Sequence, residues 1–295
     1  MKQEVRLGVI GVGNVGAALI NLVHERAETI TQRTGITLVV SRASVRDLSR
    51  ARGVSLDAKA FTANPLDVVN DSNVDVVVEL MGGIEPARDL ITQALGKGKP
   101  VVTANKALLA EHGAELFAAA DAAGVDLLFE AAVAGGIPFI RPLRESLRGE
   151  PIRRVMGIVN GTTNFILTKM TEEGADYAAV LAEAQALGYA EADPTADVEA
   201  FDAAAKCAVI ASIAFGANVT SHDVHREGIT TVTAANIAVA KRLGYVVKLL
   251  AIAEIDADSQ ELSVRVHPAM VPLNHPLASV REAYNAVFVE GDAVG

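Results

Sequence analysis

The stretch VRLGVIGVGNVGAALINLV, residues 5–23, decides the fold of this chain. It joins a short apolar run, the glycine pattern G-x-G-x-x-G at 11–16, and a helix-like apolar run that continues to residue 23. Glycines in such a turn permit a tight bend, close approach of a pyrophosphate to backbone N–H groups, and close packing of helix on strand. The order strand, glycine turn and helix therefore predicts a dinucleotide-binding fold, with a chance glycine-rich turn as the alternative.

The segments after this stretch alternate between apolar, β-branched runs and helix-like runs. Strands are predicted at residues 36–40, 74–80, 100–103 and 125–130, and helices at about 85–95 and 107–123. Continuous apolar strands are typical of a parallel sheet covered on both faces. The alternation ends near Pro138. We therefore predict an α/β protein with an N-terminal Rossmann-type dinucleotide-binding domain at 1–137 and a second, α+β substrate-binding domain at 138–295.

Composition limits the classes of partner. The 295 residues are 51% hydrophobic and 21% charged, which is typical of a globular chain with sizeable cores. A net charge of −10 argues against nucleic acid or an anionic membrane as the main partner. No apolar run approaches the ~18 residues of a membrane span, and the N-terminus has no secretory signal pattern. Since Cys207 is the only cysteine, a reducing, cytoplasmic setting is expected.

The segment after the predicted second strand bears on the choice of dinucleotide. An acid at that point normally holds the adenosine 2′-hydroxyl of NAD, and none follows residue 40 in the predicted turn. The chain instead offers Arg42 and Arg46 with Ser41 and Ser44, which suit a 2′-phosphate. We therefore expect NADP to bind at least as readily as NAD, and a solvated basic loop is the alternative.

Two further predicted strands end in polar turns. These turns are ELMGG at 79–83 and TANK at 103–106. Both would lie at the carboxyl edge of the sheet, where ligands bind in folds of this type. Lys106 is therefore a candidate site residue, and the alternative is a surface residue at the start of a helix.

The second domain carries an acidic stretch followed by an apolar helix, LGYAEADPTADVEAFDAAAKCAVIASIA at 187–214. With Asp197 as its N-cap, a helix is predicted from there to Phe215. At about 100° per residue, Asp202 and Lys206 share a stripe with apolar residues that face the core. Burial of both charges is costly unless the two are paired, so we interpret them as a functional pair in a cleft. A structural ion pair is the alternative.

The residue patterns that other kinds of site require do not occur in the sequence. The only close histidine pair, His222 and His225, has no third ligand nearby for zinc. Neither the nucleophile elbow G-x-S-x-G nor the phosphate loop G-x-x-x-x-G-K-[ST] occurs. What remains is hydride chemistry, with a dinucleotide domain followed by acids and lysines for a polar substrate. A lysine can carry a proton in such chemistry if burial or a neighbouring cation lowers its pKa, and Lys106 and Lys206 lie in suitable settings.

Several motifs, taken in order, resemble homoserine dehydrogenase. They are GVIGVGNVG, ELMGG, VTANKALLA, EAAVAGGIP, NGTTNFIL and LGYAEADPTADVEAFDAAAK. The resemblance covers nearly the whole chain, and the last motif is the most specific. It implies NAD(P)-dependent interconversion of L-homoserine and L-aspartate 4-semialdehyde, on the route from aspartate to threonine and methionine.

The resemblance also implies which residues bind the cofactor. The pyrophosphate would be held by the glycine turn, at Gly11, Gly13, Asn14, Val15 and Gly16. Thr103, Asn105 and Lys106 would approach the nicotinamide end, and Gly188 would touch the cofactor.

The substrate site follows from the same resemblance. Its residues would be Glu191, Asp202, Tyr189 and Thr162. Glu191 and Asp202 would hold the amino and hydroxyl groups of the substrate. Lys206 would be the proton donor and acceptor, with Lys106 beside it in the same cleft.

A structural sodium ion is implied by the motif EAAVAGGIP, which matches the family's monovalent-cation loop. The ion would be held by Glu130 and by the carbonyls of Val133, Gly135 and Ile137. Such a cation prefers oxygen ligands, and a glycine-bent turn exposes carbonyls. The second domain is the family's usual dimer-forming part, so a homodimer or larger homo-oligomer is implied. The family's core continues with another glycine-rich turn and a helix, so the C-terminus at Gly295 is expected to be truncated.

Two alternatives from other classes stay open. An aspartate-semialdehyde dehydrogenase would need a nucleophilic cysteine at a loop or helix start, whereas Cys207 falls in the middle of a predicted helix. A cofactor-sensing protein without catalysis would not need Lys106 and Lys206.

Overall fold

A computed structural model describes residues 3–293 of the chain. The chain forms two compact units, one that ends at Ala132 and one that begins at Val133. Of the helices within residues 3–293, none combines the length and the hydropathy that crossing a bilayer requires.

The first unit is an open parallel sheet with helices between its strands. Its elements are β1 (Gln3–Ile10), α1 (Asn14–Glu25), α2 (Ala27–Thr34), β2 (Ile36–Ser44), β3 (Phe61–Thr62), α3 (Pro65–Asn70), β4 (Val76–Glu79), α4 (Ala87–Gly96), β5 (Val101–Thr103), α5 (Lys106–Ala123) and β6 (Leu127–Leu128). The strand order is β3-β2-β1-β4-β5-β6, and every pairing is parallel. This is the doubly wound, Rossmann-like arrangement, so the predicted fold class is confirmed.

The core of the first unit explains why the opening stretch folds as it does. Val9 on β1 and Val78 on β4 pack with Ile20 and Val23 of α1, and all four side chains are buried. These helix residues lie three apart, so one face of α1 covers the sheet. The glycine turn between β1 and α1 is therefore fixed from both sides at the carboxyl edge of the sheet.

The second strand is longer than the sequence predicts. β2 continues past residue 40 to Ser44, because a register shift opposite Leu7 and Gly8 lets it pair with β1 as far as Ile10. The residues that follow the strand are therefore Val45, Arg46 and Asp47. The expectation that no acid follows the second strand is wrong, since it rested on an end placed too early.

The second unit is a mixed sheet with helices. Its elements are β7 (Ile152–Ile158), α6 (Gly161–Glu173), α7 (Tyr177–Ala186), α8 (Thr195–Val198), α9 (Phe201–Phe215), β8 (His225–Arg226), α10 (Ala234–Arg242), β9 (Tyr245–Ile255), β10 (Leu262–Pro272) and β11 (Ala286–Gly291). The strand order is β11-β7-β9-β10-β8, with antiparallel pairs except between β10 and β8. The predicted α+β character of this part is confirmed.

Helix α9 lies against this sheet. It packs on β7, β9 and β10, and the thiol of Cys207 lies 3.7 Å from the carbonyl oxygen of Ile252. The buried face of the helix is rich in alanine, which lets the backbone approach the strands closely. The sheet therefore fixes the height and rotation of α9, the helix that carries Asp202 and Lys206.

Candidate functional site

The glycine turn of the first unit has little room for side chains at two of its positions. Gly11 has φ 95°, and a Cβ there would lie 2.8 Å from the backbone of Leu80 and Met81. A Cβ on Gly16 would lie 2.2 Å from the carbonyl oxygen of Gly11. The turn therefore needs glycine at both positions for its own packing, independently of any ligand.

Gly13 differs, because a Cβ on it would meet nothing within 4 Å. It is the N-cap of α1 and supplies no side-chain hydrogen bond, so the first N–H groups of Asn14, Val15 and Gly16 are not capped by a side chain. A cavity of about 950 Å³ lies in front of this turn. The site therefore fits a bound pyrophosphate, for which glycine leaves open the space that a Cβ would fill.

The same cavity is lined by several charged side chains beyond β2. They are Arg46, Asp47, Arg50, Arg52 and Glu85. The guanidinium of Arg52 donates to the carbonyl oxygens of Arg50 and Asp47, both at 2.6 Å. Arg50 and Arg52 were missed from the sequence, although the spacing of arginines at 46, 50 and 52 was visible there.

Asp47, one of the two acids that line this cavity, accepts two hydrogen bonds from Ser49. The carboxylate of Asp47 accepts hydrogen bonds from the N–H of Ser49 at 2.9 Å and from its hydroxyl at 2.6 Å. These two bonds, the hydroxyl first, hold the pKa of Asp47 below its usual value. Arg42 is not among the cavity residues, because it lies within β2 and is partly buried. Of the two arginines expected to meet a 2′-phosphate, only Arg46 lines the cavity.

A fully buried carboxylate organises the carboxyl ends of β4 and β5. One oxygen of Glu79 accepts from the N–H groups of Met81 and Gly82, at 2.8 and 3.0 Å. The other accepts from the hydroxyl of Thr103 at 2.6 Å. Glu79 was not predicted as a site residue, because its hydrogen bond to Thr103 connects residues far apart in sequence.

Thr103 and Asn105 form hydrogen bonds that connect the two polar turns. The hydroxyl oxygen of Thr103 accepts from the N–H of Asn105 at 3.0 Å. The side chain of Asn105 caps α5 by accepting from Leu108, and it donates to the carbonyl oxygen of Gly83 at 2.7 Å. Lys106 is the first residue of α5 and is partly buried. Both predicted polar turns of the first unit are thus linked by hydrogen bonds.

The predicted pair in the second unit is present. The Nζ of Lys206 donates to Oδ2 of Asp202 at 2.6 Å and to the carbonyl oxygen of Val159 at 2.7 Å. The side chains of Lys206 and Asp202 are only 15% and 11% exposed. Both side chains are largely removed from water. Water and salt therefore screen their attraction much less than in an ordinary surface i,i+4 pair.

The helix before this pair is interrupted. Asp197 lies within the short helix α8, which ends at Val198, and α9 begins at Phe201. Between them Ala200 has φ 63°, a left-handed conformation that ends one helix and starts the next. The prediction of one helix from Asp197 is therefore wrong, and so is the interpretation of Asp197 as its N-cap.

Asn160 connects the two acids. Its Nδ2 donates to Oδ1 of Asp197 at 2.7 Å and to Oδ2 of Asp202 at 3.0 Å. Its Oδ1 accepts from the N–H and hydroxyl of Thr163, both at 2.9 Å, and so caps α6. The capping role was readable from Asn160 standing before Gly161 in sequence. Its hydrogen bonds to acids 37 and 42 residues away could not be read from the sequence.

The other predicted substrate residues lie around the end of α7. The hydroxyl of Thr162 donates to the carbonyl oxygen of Tyr189 at 2.6 Å, and the ring of Tyr189 packs on Phe165. Gly188, with φ 80°, makes the turn after α7. Glu191 is exposed, and within residues 3–293 no hydrogen bond joins its carboxylate to Asp202 or Lys206.

The predicted cation loop contains a backbone bend. Glu130 begins a 3₁₀ turn that ends at Ala132, and Val133 is buried. Ala134 and Gly135 both have positive φ, at 57° and 47°, and the N–H of Ile137 donates to the carbonyl oxygen of Ala134. The φ angles of Ala134 and Gly135 bend the chain at this loop, at the positions between Val133 and Ile137.

Comparison with known proteins covers both units. A family model described as homoserine dehydrogenase, NAD binding domain, matches residues 11–130, and one described as homoserine dehydrogenase matches residues 138–295. The homoserine dehydrogenase of Mycobacterium tuberculosis is 54% identical over 297 residues, which is 100% of this chain and 67% of that protein.

Solved structures agree with this similarity. A homoserine dehydrogenase from Thiobacillus denitrificans superposes with a TM-score of 0.92 at 47% identity, over 99% of this chain and 67% of its own. A hyperthermophilic archaeal homoserine dehydrogenase, solved in complex with NADPH, gives 0.81 at 27% identity, over 99% and 90%. The similarity therefore extends over the dinucleotide cavity and the buried Asp–Lys pair alike.

Proposed function

The chain belongs to the homoserine dehydrogenase family, NAD(P)-dependent oxidoreductases of threonine and methionine biosynthesis that interconvert L-homoserine and L-aspartate 4-semialdehyde, and we propose that its two units divide this work. The first unit holds the dinucleotide in front of the glycine turn. The second unit holds the amino-acid substrate next to Asp202 and Lys206. When bound, the dinucleotide supplies or accepts the hydride.

The observation that carries the assignment is the buried contact between Lys206 and Asp202, at 2.6 Å. In the reductive direction the hydride arrives at C4 of the semialdehyde, and Lys206 gives a proton to the C4 oxygen to form the hydroxyl. In the oxidative direction Lys206 takes that proton as the hydride leaves C4. Asp202 and the carbonyl oxygen of Val159 fix the ammonium in place, so its third N–H direction is left for the substrate oxygen.

Substrate binding is assigned to residues near the end of α7 and to Asp202 on α9. We assign the amino group of the substrate to the exposed carboxylate of Glu191 and its hydroxyl group to Asp202. Thr162 would support the site indirectly, by holding the backbone of Tyr189, because its hydroxyl donates to the carbonyl oxygen of that residue. Gly188, in the same turn, would touch the cofactor. Lys106, at the start of α5, is proposed as a second catalytic lysine on the family resemblance.

A direct assay tests this proposal. Homoserine is added to the protein with NADP, and the formation of NADPH is followed by its absorbance. Production of NADPH that depends on homoserine and is lost in Lys206→Ala is expected. A protein that binds NADPH but never turns over homoserine would instead be a cofactor-binding protein.

A cysteine-dependent reductase is disfavoured by the surroundings of Cys207. Its thiol is buried in the middle of α9, and burial raises its pKa to about 12. A thiol in that state is protonated at neutral pH and cannot act as a nucleophile. The acyl-enzyme chemistry of an aspartate-semialdehyde dehydrogenase therefore lacks its residue.

NADP is proposed to bind at least as readily as NAD. The support is the charge of the cavity, where Arg46, Arg50 and Arg52 outnumber the carboxylates of Asp47 and Glu85. Ser49 donates to Oδ1 of Asp47, so this carboxylate can accept from a ribose hydroxyl only through its remaining lone pairs, chiefly those of Oδ2. The archaeal relative was solved with NADPH, which agrees with this preference.

A sodium ion is proposed at the loop that contains Ala134 and Gly135. The support is the match of EAAVAGGIP to the family's cation motif. The ligands would be the carboxylate of Glu130 and the carbonyl oxygens of Val133, Gly135 and Ile137. Comparing the thermal midpoint in sodium chloride with that in a chloride of a bulky organic cation, at equal ionic strength, tests it.

A homo-oligomer, at least a dimer, is proposed from the family resemblance of the second domain. The exposed large apolar side chains of that unit include Val239, Leu243, Met270 and Leu273. A mass measured in solution tests this, with Leu243→Glu and Leu273→Glu as variants. A cytoplasmic location is proposed on the single, free Cys207, and cell fractionation tests it.

A further inference from the structure

Asn160 occupies an unusual position between two acids. Its side chain is buried, and one nitrogen donates both of its hydrogens, one to Asp197 and one to Asp202. The second acceptor, Oδ2 of Asp202, is also the atom that receives the hydrogen bond of Lys206. A neutral amide therefore lies in direct contact with the carboxylate that holds the proposed proton carrier.

A bend in the backbone between α8 and α9 allows Asp197 and Asp202 to reach the same amide nitrogen. In one continuous helix, side chains five residues apart point about 140° away from each other. Asp197 and Asp202 could not then both meet one amide nitrogen. Ala200 removes this obstacle, because its left-handed φ of 63° redirects the chain between α8 and α9. A residue with a Cβ is rarely found in this conformation, so surrounding contacts must hold it there.

Those contacts come from another part of the second unit. A Cβ on Gly228 would lie 2.4 Å from the carbonyl oxygen of Val198, and the N–H of Ile229 donates to that oxygen at 2.8 Å. The segment around Gly228 thus packs directly on the bend. Tertiary packing therefore holds the bend that brings Asp197 and Asp202 together.

We propose that Asn160 is a positioning residue for the reaction. It holds the carboxylates of Asp197 and Asp202 close together by donating to both, and so keeps Asp202 in position to orient Lys206. The inference rests on the roles proposed above for Asp202 and Lys206. Two carboxylates that share a site normally disfavour each other's ionisation, and hydrogen bonds donated to both offset this repulsion. An amide can make two such donations without adding charge.

The capping role of Asn160 allows a sharp test. Its Oδ1 caps α6 and its Nδ2 bridges the acids, so the two functions belong to different atoms. Asn160→Asp keeps an oxygen for the cap, since Asp caps helices as well as Asn does. It replaces the bridge by a third carboxylate. Asn160→Ser also keeps a capping oxygen but brings no new charge.

The experiment measures kcat and KM for homoserine from pH 5 to 9, with the thermal midpoint, for the wild type and both variants. We expect Asn160→Asp to move the acid limb of kcat/KM upward by about one pH unit or more. We expect kcat/KM at pH 7 to fall at least about 10-fold, with a thermal midpoint close to that of the wild type. Asn160→Ser should move the limb in the same direction by less. If Asn160→Asp does not fold, the shift in Asn160→Ser decides.

Asn64 is a matched control in the first unit. It caps α3 through Oδ1, and its Nδ2 donates to Asp67, so Asn64→Asp makes the same chemical change at another helix start. Its pH profile should equal that of the wild type. An unshifted profile in both Asn160 variants, with Lys206→Ala inactive, would overturn this inference alone. Normal turnover in Lys206→Ala would refute the proposed proton carrier and this inference with it.

Discussion

The Nζ of Lys206 lies 2.6 Å from Oδ2 of Asp202, one turn earlier on α9, and both side chains are largely buried. On the surface of α6 the pair Lys169 and Glu173 has the same i,i+4 spacing, at 2.8 Å, but its carboxylate is half exposed. The chain thus contains a functional candidate and a surface pair of equal sequence spacing. Burial and the additional bond to the carbonyl oxygen of Val159 distinguish them.

Replacing Lys206 separates its catalytic role from a structural one. We expect Lys206→Ala to lower kcat by about 10²- to 10⁴-fold, because a positioned proton carrier is lost. Asp202→Ala should raise KM for homoserine and also lower kcat, because Asp202 is assigned both the substrate hydroxyl and the orientation of Lys206. Lys106→Ala should also lower kcat, as expected for a second catalytic lysine. Steady-state kinetics and NADPH binding by fluorescence measure these effects.

The surface pair supplies the control. Lys169→Ala should leave kcat unchanged and cost about 1 kcal/mol of stability or less, because Lys169 pairs with Glu173 and also with Glu183, and each such pair contributes about 0.3–0.5 kcal/mol. Near-normal kcat in Lys206→Ala together with a melting point many degrees lower would make the Asp202–Lys206 pair structural.

Arg46 is expected to discriminate between the two dinucleotides. Hydrogen bonds to charged groups contribute about 1.5–3 kcal/mol, so Arg46→Asp should raise KM for NADP about 10- to 100-fold and change KM for NAD much less. Initial rates with each cofactor measure this. Arg148→Asp, an exposed arginine of the second unit, makes the same change in net charge and should affect neither. Equal effects of Arg46→Asp on both cofactors would mean that Arg46 is only a surface charge.

Local patterns predicted the parts of the site that depend on one element. The glycine turn follows from a strand and a helix that are adjacent in sequence. The pair Asp202 and Lys206 follows from helical periodicity. In each case the residues that matter lie within a few positions of one another, and so their spacing alone fixes their relative placement.

The parts that were missed depend on distant contacts. The left-handed Ala200 has no local signal, since it is held by packing of Gly228 and by the hydrogen bond from Ile229. The true end of β2 depends on a bulge opposite β1, which brought Asp47 into the cavity. Glu79 connects the two polar turns only through its distant partner, Thr103. Sequence periodicity cannot show such contacts, because they arise when elements pack together.

The bend at Ala200 is expected to tolerate glycine but not a β-branched residue. Ala200 is fully buried with φ 63°. Glycine would relieve about 1–2 kcal/mol of strain and lose about 0.5–1 kcal/mol through its flexibility, so Ala200→Gly should be nearly neutral or slightly stabilising. Ala200→Val should destabilise by about 2 kcal/mol or more, because it adds volume and a β-branched side chain in a left-handed conformation. Urea unfolding measures both.

Gln260 is the control for backbone strain, because it also has positive φ, at 58°, but lies in an exposed turn. Gln260→Val should lower stability without changing KM for homoserine. Ala200→Val should raise that KM as well, since the bend orients both acids. An Ala200→Val enzyme with normal stability and normal KM would contradict the role given to the bend.

Lys248 makes the stability of the fold depend on pH in a specific window. It is 1% exposed, and its Nζ donates to the side chain of Asn164 at 3.0 Å and to the carbonyl oxygen of Val280 at 2.5 Å. Burial lowers its pKa from 10.5 to about 8, with the neighbouring charges of Glu172 and Arg281 acting in opposite directions. Between these two values the unfolded chain keeps the proton and the folded chain has lost it. The free energy of unfolding should therefore rise with pH over this range, by at most about 1.4 kcal/mol per unit. Below pH 8 the ammonium is charged in both states, and its full desolvation cost applies.

Lys248→Met removes the titration, so its unfolding free energy should rise less than that of the wild type between pH 8 and 10. Lys241→Met, an exposed lysine of α10, should keep the slope of the wild type. Urea unfolding at pH 7.5, 8.5 and 9.5 measures the three slopes, and parallel lines for the wild type and Lys248→Met would show that the buried lysine does not titrate in this range.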